Sequence, residues 1–327
     1  MGDRDLKHPV FELARRLGAE LKQTHASWVL LLPDRVYKIK KPVNFGFLDY
    51  STPEKRRQMC QKELLLNRRL CPWLYESVVP VSEINGRWEL ENPSNPVEWA
   101  VKMKRIPEGA LLSERLDRAT KEELKKVALR LAEFHKKAER ADRYGSLEVI
   151  RYNAQENFDQ TAPFVGDAIT EDDYAFIKEK TFAFLDKKTR LFQRRVEEGK
   201  IKDGHGDVRA EHVAFLPQGV CIFDCIEFND RFRCGDVVND MCFLSTELEF
   251  FGRPELAKAY EDEYFALTGD EEGRELLPFY KTYRAYVRGK VYSFLSRDEN
   301  LKPEERERAK ETARKFFKLA RKYAEEL

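Results

Sequence analysis

A chain of 327 residues with 36% charged side chains has room for about two domains at ~150 residues each. Acidic and basic groups nearly cancel at a formal net charge of +1, so no global field draws the protein to nucleic acid or to an anionic membrane. The longest purely apolar run, Trp28 to Leu32, is too short to span a bilayer.

The start, MGDRDLKHP, is polar and lacks a signal-peptide core. The six cysteines (Cys60, Cys71, Cys221, Cys225, Cys234 and Cys242) form no C-x-x-C pair. Both features point to a cytoplasmic protein with six free thiols. Composition fixes no oligomeric state.

In chain order, Phe11 to Leu17 reads as a short amphipathic helix ending at Gly18, and Glu20 to Leu32 alternates into an apolar strand. Pro33-Asp34-Arg35 then turns the chain into Val36-Tyr37-Lys38-Ile39-Lys40, because proline pre-sets φ for the turn. An aromatic loop, Asn44 to Tyr50, leads to Ser51-Thr52-Pro53-Glu54, which opens a helix with a capping hydroxyl and an early proline. Strands near Val78 to Ile84 and Val97 to Met103 flank a hairpin turn at Asn85-Gly86. From Pro107 the pattern becomes helical. Thr120-Lys121-Glu122-Glu123 is a capping box, and a second helix starts at Thr170 and runs toward Glu198. After a loop and two strands at 204–228, three further helical stretches follow, the last from Pro303 to Leu327. The strand-rich part ends near Arg105.

The chemistry concentrates at His205-Gly206-Asp207-Val208-Arg209-Ala210-Glu211-His212, followed by Ile222-Phe223-Asp224. Two carboxylates 17 residues apart (224 − 207), each beside a β-like run, suit phosphoryl transfer. Asp207 stands where a base accepts a hydroxyl proton, and Asp224 where a carboxylate holds the magnesium that bridges ATP phosphates. Lys38 and Lys40 lie on one strand face, so alternation cannot separate them; Lys38 is preferred as the lysine that meets the phosphates, because Lys41-Pro42 soon ends the strand, with Glu63 as its partner. No G-x-G-x-x-G and no G-x-x-x-x-G-K-[ST] occurs, which excludes a Rossmann fingerprint and a Walker loop.

These segments resemble the aminoglycoside phosphotransferase and choline kinase branch of the protein-kinase-like fold, whose loop reads HGDxxxxN and whose metal strand ends in Ile/Phe-Asp. Val36-Tyr37-Lys38-Ile39-Lys40-Lys41-Pro42 and Phe223-Asp224-Cys225-Ile226-Glu227-Phe228 resemble an uncharacterised bacterial and archaeal branch often joined to a P-loop kinase. The resemblance spans about residues 20–295 and is densest at 204–240.

It implies an α+β fold of two lobes, a small strand-rich N-terminal nucleotide-binding lobe at 1–105 and a larger, mainly helical catalytic and substrate lobe at 106–327. The implied activity is an ATP- and magnesium-dependent (or manganese-dependent) transfer of phosphate to a hydroxyl of a small molecule. The implied adenine site is the backbone of Met103-Lys104-Arg105-Ile106. Gln23 to Ser27 stands for the phosphate loop, with the Thr24 and Ser27 hydroxyls near the phosphates. His205 holds the catalytic loop, and Asp240 bonds to its backbone.

His212 departs from the family, which places asparagine there. Imidazole is a softer ligand that favours manganese, zinc or nickel over magnesium. His212 is therefore a metal ligand with altered preference, a hydrogen-bonding substitute, or the mark of a weakened catalyst. Candidate substrate contacts are Arg209, Glu227, Arg284 and Arg288. The last two belong, with Lys281, to a basic stripe at helical spacing that is either anion-binding or simply solvated. Two other functions stay open: a nucleotide-binding regulatory module without turnover, and a kinase or AMP transferase acting on protein.

Overall fold

A computed structural model describes residues 8–327, so all of the polar start discussed above except His8 and Pro9 lies outside the described residues. The chain divides into two compact units. One runs to Arg115 and takes in Glu211–Phe232, and the other holds Leu116–Ala210 and Arg233–Leu327. The architecture is α+β, as expected.

The first unit is built on a six-stranded antiparallel sheet in the order β1-β2-β3-β6-β4-β5. Its strands are β1 (Glu20–Gln23), β2 (Ser27–Leu31), β3 (Arg35–Lys40), β4 (Tyr75–Ile84), β5 (Arg87–Leu90) and β6 (Pro96–Lys104). Alternation along β3 sets the layering. Tyr37 and Ile39 pack with Val10 and Leu13 of α1 (Pro9–Leu17), whereas Val36 packs with Cys60 of α2 (Pro53–Arg68). Lys38 and Lys40 share the Val36 face. The α1 helix ends at Gly18, whose left-handed φ of 62° lets its N–H reach the Ala14 and Arg15 carbonyls. The α2 helix starts at Thr52, whose hydroxyl accepts from the Lys55 N–H ahead of Pro53. The Asn85-Gly86 turn joins β4 to the short β5 instead of to β6. A hairpin of β8 (Val213–Leu216) and β9 (Gly219–Ile222) completes the unit, with Ala214 and Cys221 in the cluster of Cys60 and Cys71.

Two of those cysteines are bonded. Cys71, just past α2, forms a disulfide with Cys221 of β9, with 5.1 Å between Cα atoms. This corrects the expectation of six free thiols; Cys60, Cys225, Cys234 and Cys242 are free and buried. Packing brings the pair together across a sequence separation of 150, which no local spacing reveals.

The second unit carries α3 (Lys121–Lys137), α4 (Leu147–Thr161), α5 (Glu171–Lys187), α6 (Thr189–Glu197), α8 (Val237–Phe250), α9 (Pro254–Thr268), α10 (Leu277–Ser296) and α11 (Pro303–Ala324). A two-stranded ribbon pairs β7 (Ile201–Asp203) with β10 (Cys234–Asp236), which follows a single helical turn, α7 (Asp230–Arg233). Thr120 and Glu123 make the expected capping box on α3. The helix expected from Thr170 to Glu198 breaks at Lys188. There the Thr189 hydroxyl bonds the Leu185 and Asp186 carbonyls and competes with the helical ladder. Four long helices follow the hairpin, not three. The α10 and α11 helices pack closely, and a Cβ at Gly289 would fall 2.6 Å from the Phe317 ring. Among the described residues, no helix is long and apolar enough to cross a membrane.

Candidate active site

In the first unit, charge gathers on the Lys38–Lys40 face of β3. The Lys38 ammonium lies 2.9 Å from Glu63 Oε1 and 2.7 Å from Asp224 Oδ1. Lys40 lies 2.7 Å from Glu63 Oε2 and 3.3 Å from the Tyr50 hydroxyl, and it also donates to Glu227 Oε1. Glu63, on the buried side of α2, is thus shared, one oxygen to each lysine. Only the Lys40 contact is aligned as a hydrogen bond; Glu63 Oε1 meets Lys38 by charge alone. Exposure separates the two lysines, at 17% for the Lys38 side chain against 1% for Lys40.

Asp224 follows β9 and adopts a left-handed conformation, φ 60°, uncommon for a residue with a side chain. Its N–H donates to the Tyr75 hydroxyl at 3.2 Å, and the Cys225 N–H donates to Asn67 Oδ1 at 2.9 Å. Burial alone would raise the Asp224 pKa, but the Lys38 ammonium outweighs it and holds the carboxyl well below the usual range. Burial likewise opposes charge on Lys38 and Lys40, and the facing carboxylates raise both ammonium pKa values. His212 Nε2 stands 3.5 Å from Asp224 Oδ2. Glu227, expected as a substrate contact, is instead buried on Lys40 and Tyr50.

Among the described residues, no group of three or more His, Cys, Asp or Glu is disposed to hold a metal alone. Magnesium, however, is usually held by one or two carboxylates together with nucleotide phosphates and water. Asp224 suits such partial ligation, and the imidazole of His212 beside it favours manganese over magnesium. Two ammonium groups (Lys38, Lys40) against three carboxylates (Glu63, Asp224, Glu227) also leave one negative charge for a cation to balance. The donors present fit a divalent ion bound jointly with phosphates.

The remaining nucleotide candidates lie in the same unit. Thr24 Oγ1 accepts from the Ala26 and Ser27 N–H groups, so it closes the β1–β2 turn, and Ser27 is buried at the start of β2. On the connector, Met103 is buried in the sheet and Ile106 half-buried, while the Lys104 and Arg105 N–H groups donate to the Leu74 and Asp34 carbonyls.

The second unit holds the loop of Asp207. Asp240, in the first turn of α8, accepts from the His205 and Gly206 N–H groups, each at 2.8 Å. It also meets His135 Nε2 at 2.9 Å, and His135 Nδ1 meets the Tyr264 hydroxyl at 2.7 Å. Burial opposes the Asp240 charge, but the His135 hydrogen bond and the loop amides prevail and lower its pKa. A Cβ at Gly204 would fall 2.6 Å from Asp240 Oδ2, so only glycine allows this approach. His205 is fully buried, and its Nδ1 accepts from the Asp207 N–H at 3.2 Å. Arg209 grips the Asp207 carboxylate in a fork, Nε at 2.8 Å and Nη2 at 3.1 Å.

The basic residues of α10 are not a solvated stripe. Lys281 is buried against Glu249 and Glu261. The Arg284 Nε donates to the Asn239 carbonyl, and its guanidinium lies 4.5 Å from the Phe243 ring centroid. Arg288 lies 3.8 Å from Glu247, whose other oxygen accepts the Ala210 N–H. Tyr50, Asn67, Tyr75, His135 and Glu247 are site neighbours that the sequence did not mark as functional. His135, one of five histidines, gives a faint signal, and Glu247 none.

No family model matches the sequence. Uncharacterised proteins of Mycobacterium tuberculosis and Mycobacterium bovis are 31% identical over 277 residues, covering 83% of this chain and 54% of theirs. The chain thus spans about half the length of the curated relatives it matches. Among solved structures, a choline kinase from Cryptosporidium parvum Iowa II aligns with a TM-score of 0.57 at 11% identity, over 99% of this chain and 96% of that one. A choline/ethanolamine kinase family protein from Mesorhizobium loti gives 0.52 at 12% identity, over 96% and 99%. A spectinomycin phosphotransferase in complex with ADP and spectinomycin gives 0.51 at 14%, over 97% and 98%. The chain has the protein-kinase-like fold of the aminoglycoside phosphotransferases and choline kinases.

Proposed function

We propose that the protein is an ATP- and divalent-metal-dependent phosphotransferase acting on a hydroxyl of a small molecule. The observation that carries this reading is the Lys38 ammonium lying between Glu63 and Asp224. A strand lysine paired with a helix glutamate and a metal-strand aspartate is the arrangement that phosphoryl transfer in this fold requires. Neighbours of the same fold include a spectinomycin phosphotransferase in complex with ADP and spectinomycin, a choline kinase and a choline/ethanolamine kinase family protein, which supports a nucleotide donor and a small acceptor.

In this reading the first unit binds the nucleotide and the second supplies the base. Lys38 neutralises the α- and β-phosphates and is oriented by Glu63. Asp224 and His212 would hold magnesium or manganese, and the ion would spread the phosphate charge. The connector Met103-Lys104-Arg105-Ile106 takes the adenine through its backbone, and the turn of Thr24 and Ser27 covers the phosphates. The acceptor oxygen bonds to the γ-phosphorus as the bond from that phosphorus to the bridging oxygen breaks. ADP leaves, and Asp207 takes the hydroxyl proton. Arg209 orients the Asp207 carboxylate, while His205 and Asp240 fix the loop. Arg284 and Arg288 remain the acceptor-side candidates.

The test is ATP turnover over a matrix of metals (magnesium, manganese, none) and acceptors (amino alcohols, aminoglycosides, simple sugars). Acceptor-stimulated, metal-dependent ADP formation supports the reading. Metal-dependent ADP binding without turnover on any acceptor would instead indicate a regulatory module.

A further inference from the structure

Asp224 is the most exposed carboxylate of the first unit's charged cluster, yet it is held in a backbone conformation that a side chain disfavours. Something must hold the turn that carries it. Two of the restraints are local: the Tyr75 hydroxyl on its N–H and Asn67 on the next N–H. The third lies three residues on. Glu227 is buried, accepts from the Tyr50 hydroxyl at 2.5 Å, and takes the Lys40 ammonium on the same oxygen.

Lys40 is therefore a post with two arms. One reaches Glu63 Oε2 on α2, which leaves Oε1 turned toward Lys38; the other reaches Glu227 on the Asp224 turn. Tyr50 is itself fixed, because its carbonyl accepts from Arg56 Nη1 at 2.7 Å and Arg56 is forked onto Glu98 of β6. The lattice runs from the sheet through α2 to the residue that positions Asp224.

A buried ion pair of this kind is seldom kept for stability, since desolvation consumes much of the attraction. Nor does a lysine that is 1% exposed offer its charge to a phosphate. We infer that Lys40, Glu227 and Tyr50 form a positioning lock that presents the Asp224 carboxylate to a divalent cation and couples its placement to that of Glu63. The inference rests on the phosphotransferase reading of the same site.

The experiment is calorimetric binding of ADP to the full chain, with EDTA and with magnesium. The variants are Glu227→Gln, Lys40→Met, Tyr50→Phe, the Lys40→Met/Glu227→Gln pair, and Asp224→Asn as reference. Loss of a group that orients a metal ligand typically weakens metal binding by about 10- to 100-fold. Glu227→Gln is expected to lose the magnesium-dependent gain in ADP affinity on that scale, while its affinity in EDTA stays within about twofold of the parent. Tyr50→Phe deletes one hydroxyl and is expected to lose part of the gain. The neutral pair leaves Glu63 with Lys38 alone, so it should melt above Lys40→Met and below the parent, and recovery of stability without recovery of the gain separates positioning from support of the fold. A full magnesium gain in Glu227→Gln and Tyr50→Phe, alongside its loss in Asp224→Asn, would overturn the lock and leave the phosphotransferase reading intact. No magnesium gain in the unaltered protein would overturn both.

Discussion

Two lysines two residues apart on one strand have divided their labour by depth. Lys38→Ala is expected to weaken ADP binding with little effect on melting, because its ammonium reaches the open carboxylate of Asp224. Lys40→Ala leaves two buried carboxylates short of a partner, and removing one member of a buried pair costs about 3–5 kcal/mol. Its melting temperature should therefore fall well below that of Lys38→Ala; the reverse order in a thermal melt would contradict the assignment. His212 carries the second expectation at this scale. With an imidazole beside Asp224, manganese should compete well with magnesium in supporting ADP binding, and His212→Asn should shift preference back to magnesium. Identical metal titrations of the two proteins would leave the histidine as a hydrogen-bonding neighbour. The sequence displayed Lys38, Lys40, Glu63 and Glu227 as residues. Their sharing of one buried carboxylate depends on α2 and the Asp224 turn meeting across β3, and no local pattern encodes that.

Elements were legible where their signals are local. Thr52 and Thr120 mark helix starts through a hydroxyl placed to accept a backbone N–H, and Gly18 marks an end through its left-handed φ. The α4 helix was not legible because two of the positions on its buried stripe are Asn157 and Thr161, which read as polar. The α8 helix is buried almost all round and so shows no amphipathic period to delimit it from its neighbours. The disulfide is the element-scale link that sequence hid most completely. It ties the chain just beyond α2 to the strand that leads into Asp224. Removing a disulfide typically costs about 2–4 kcal/mol. Cys71→Ser/Cys221→Ser should thus melt several degrees below the parent, and a strong thiol reductant should lower the parent's melting temperature by a similar amount. Equal melting of parent and double variant, with and without reductant, would mean the bond contributes nothing.

Over the whole molecule, the candidate residues are divided between the two units. The first holds Lys38, Glu63, His212 and Asp224, and the second holds Asp207 in a loop whose amides are tied to Asp240. The boundary read near Arg105 follows the change from strand to helix in the sequence, whereas the β8–β9 hairpin joins the first unit because Ala214 and Cys221 pack with Cys60 and Cys71. Acceptor identity is the part least written in the residues, since Arg209, Arg284 and Arg288 are all engaged within the second unit. The most direct test of the account is acceptor-stimulated ADP formation by Asp207→Asn, measured beside ADP affinity in the same preparation. The account predicts a turnover loss of about 100-fold or more with ADP affinity unchanged, the signature of a lost general base. Turnover equal to that of the unaltered protein would contradict it.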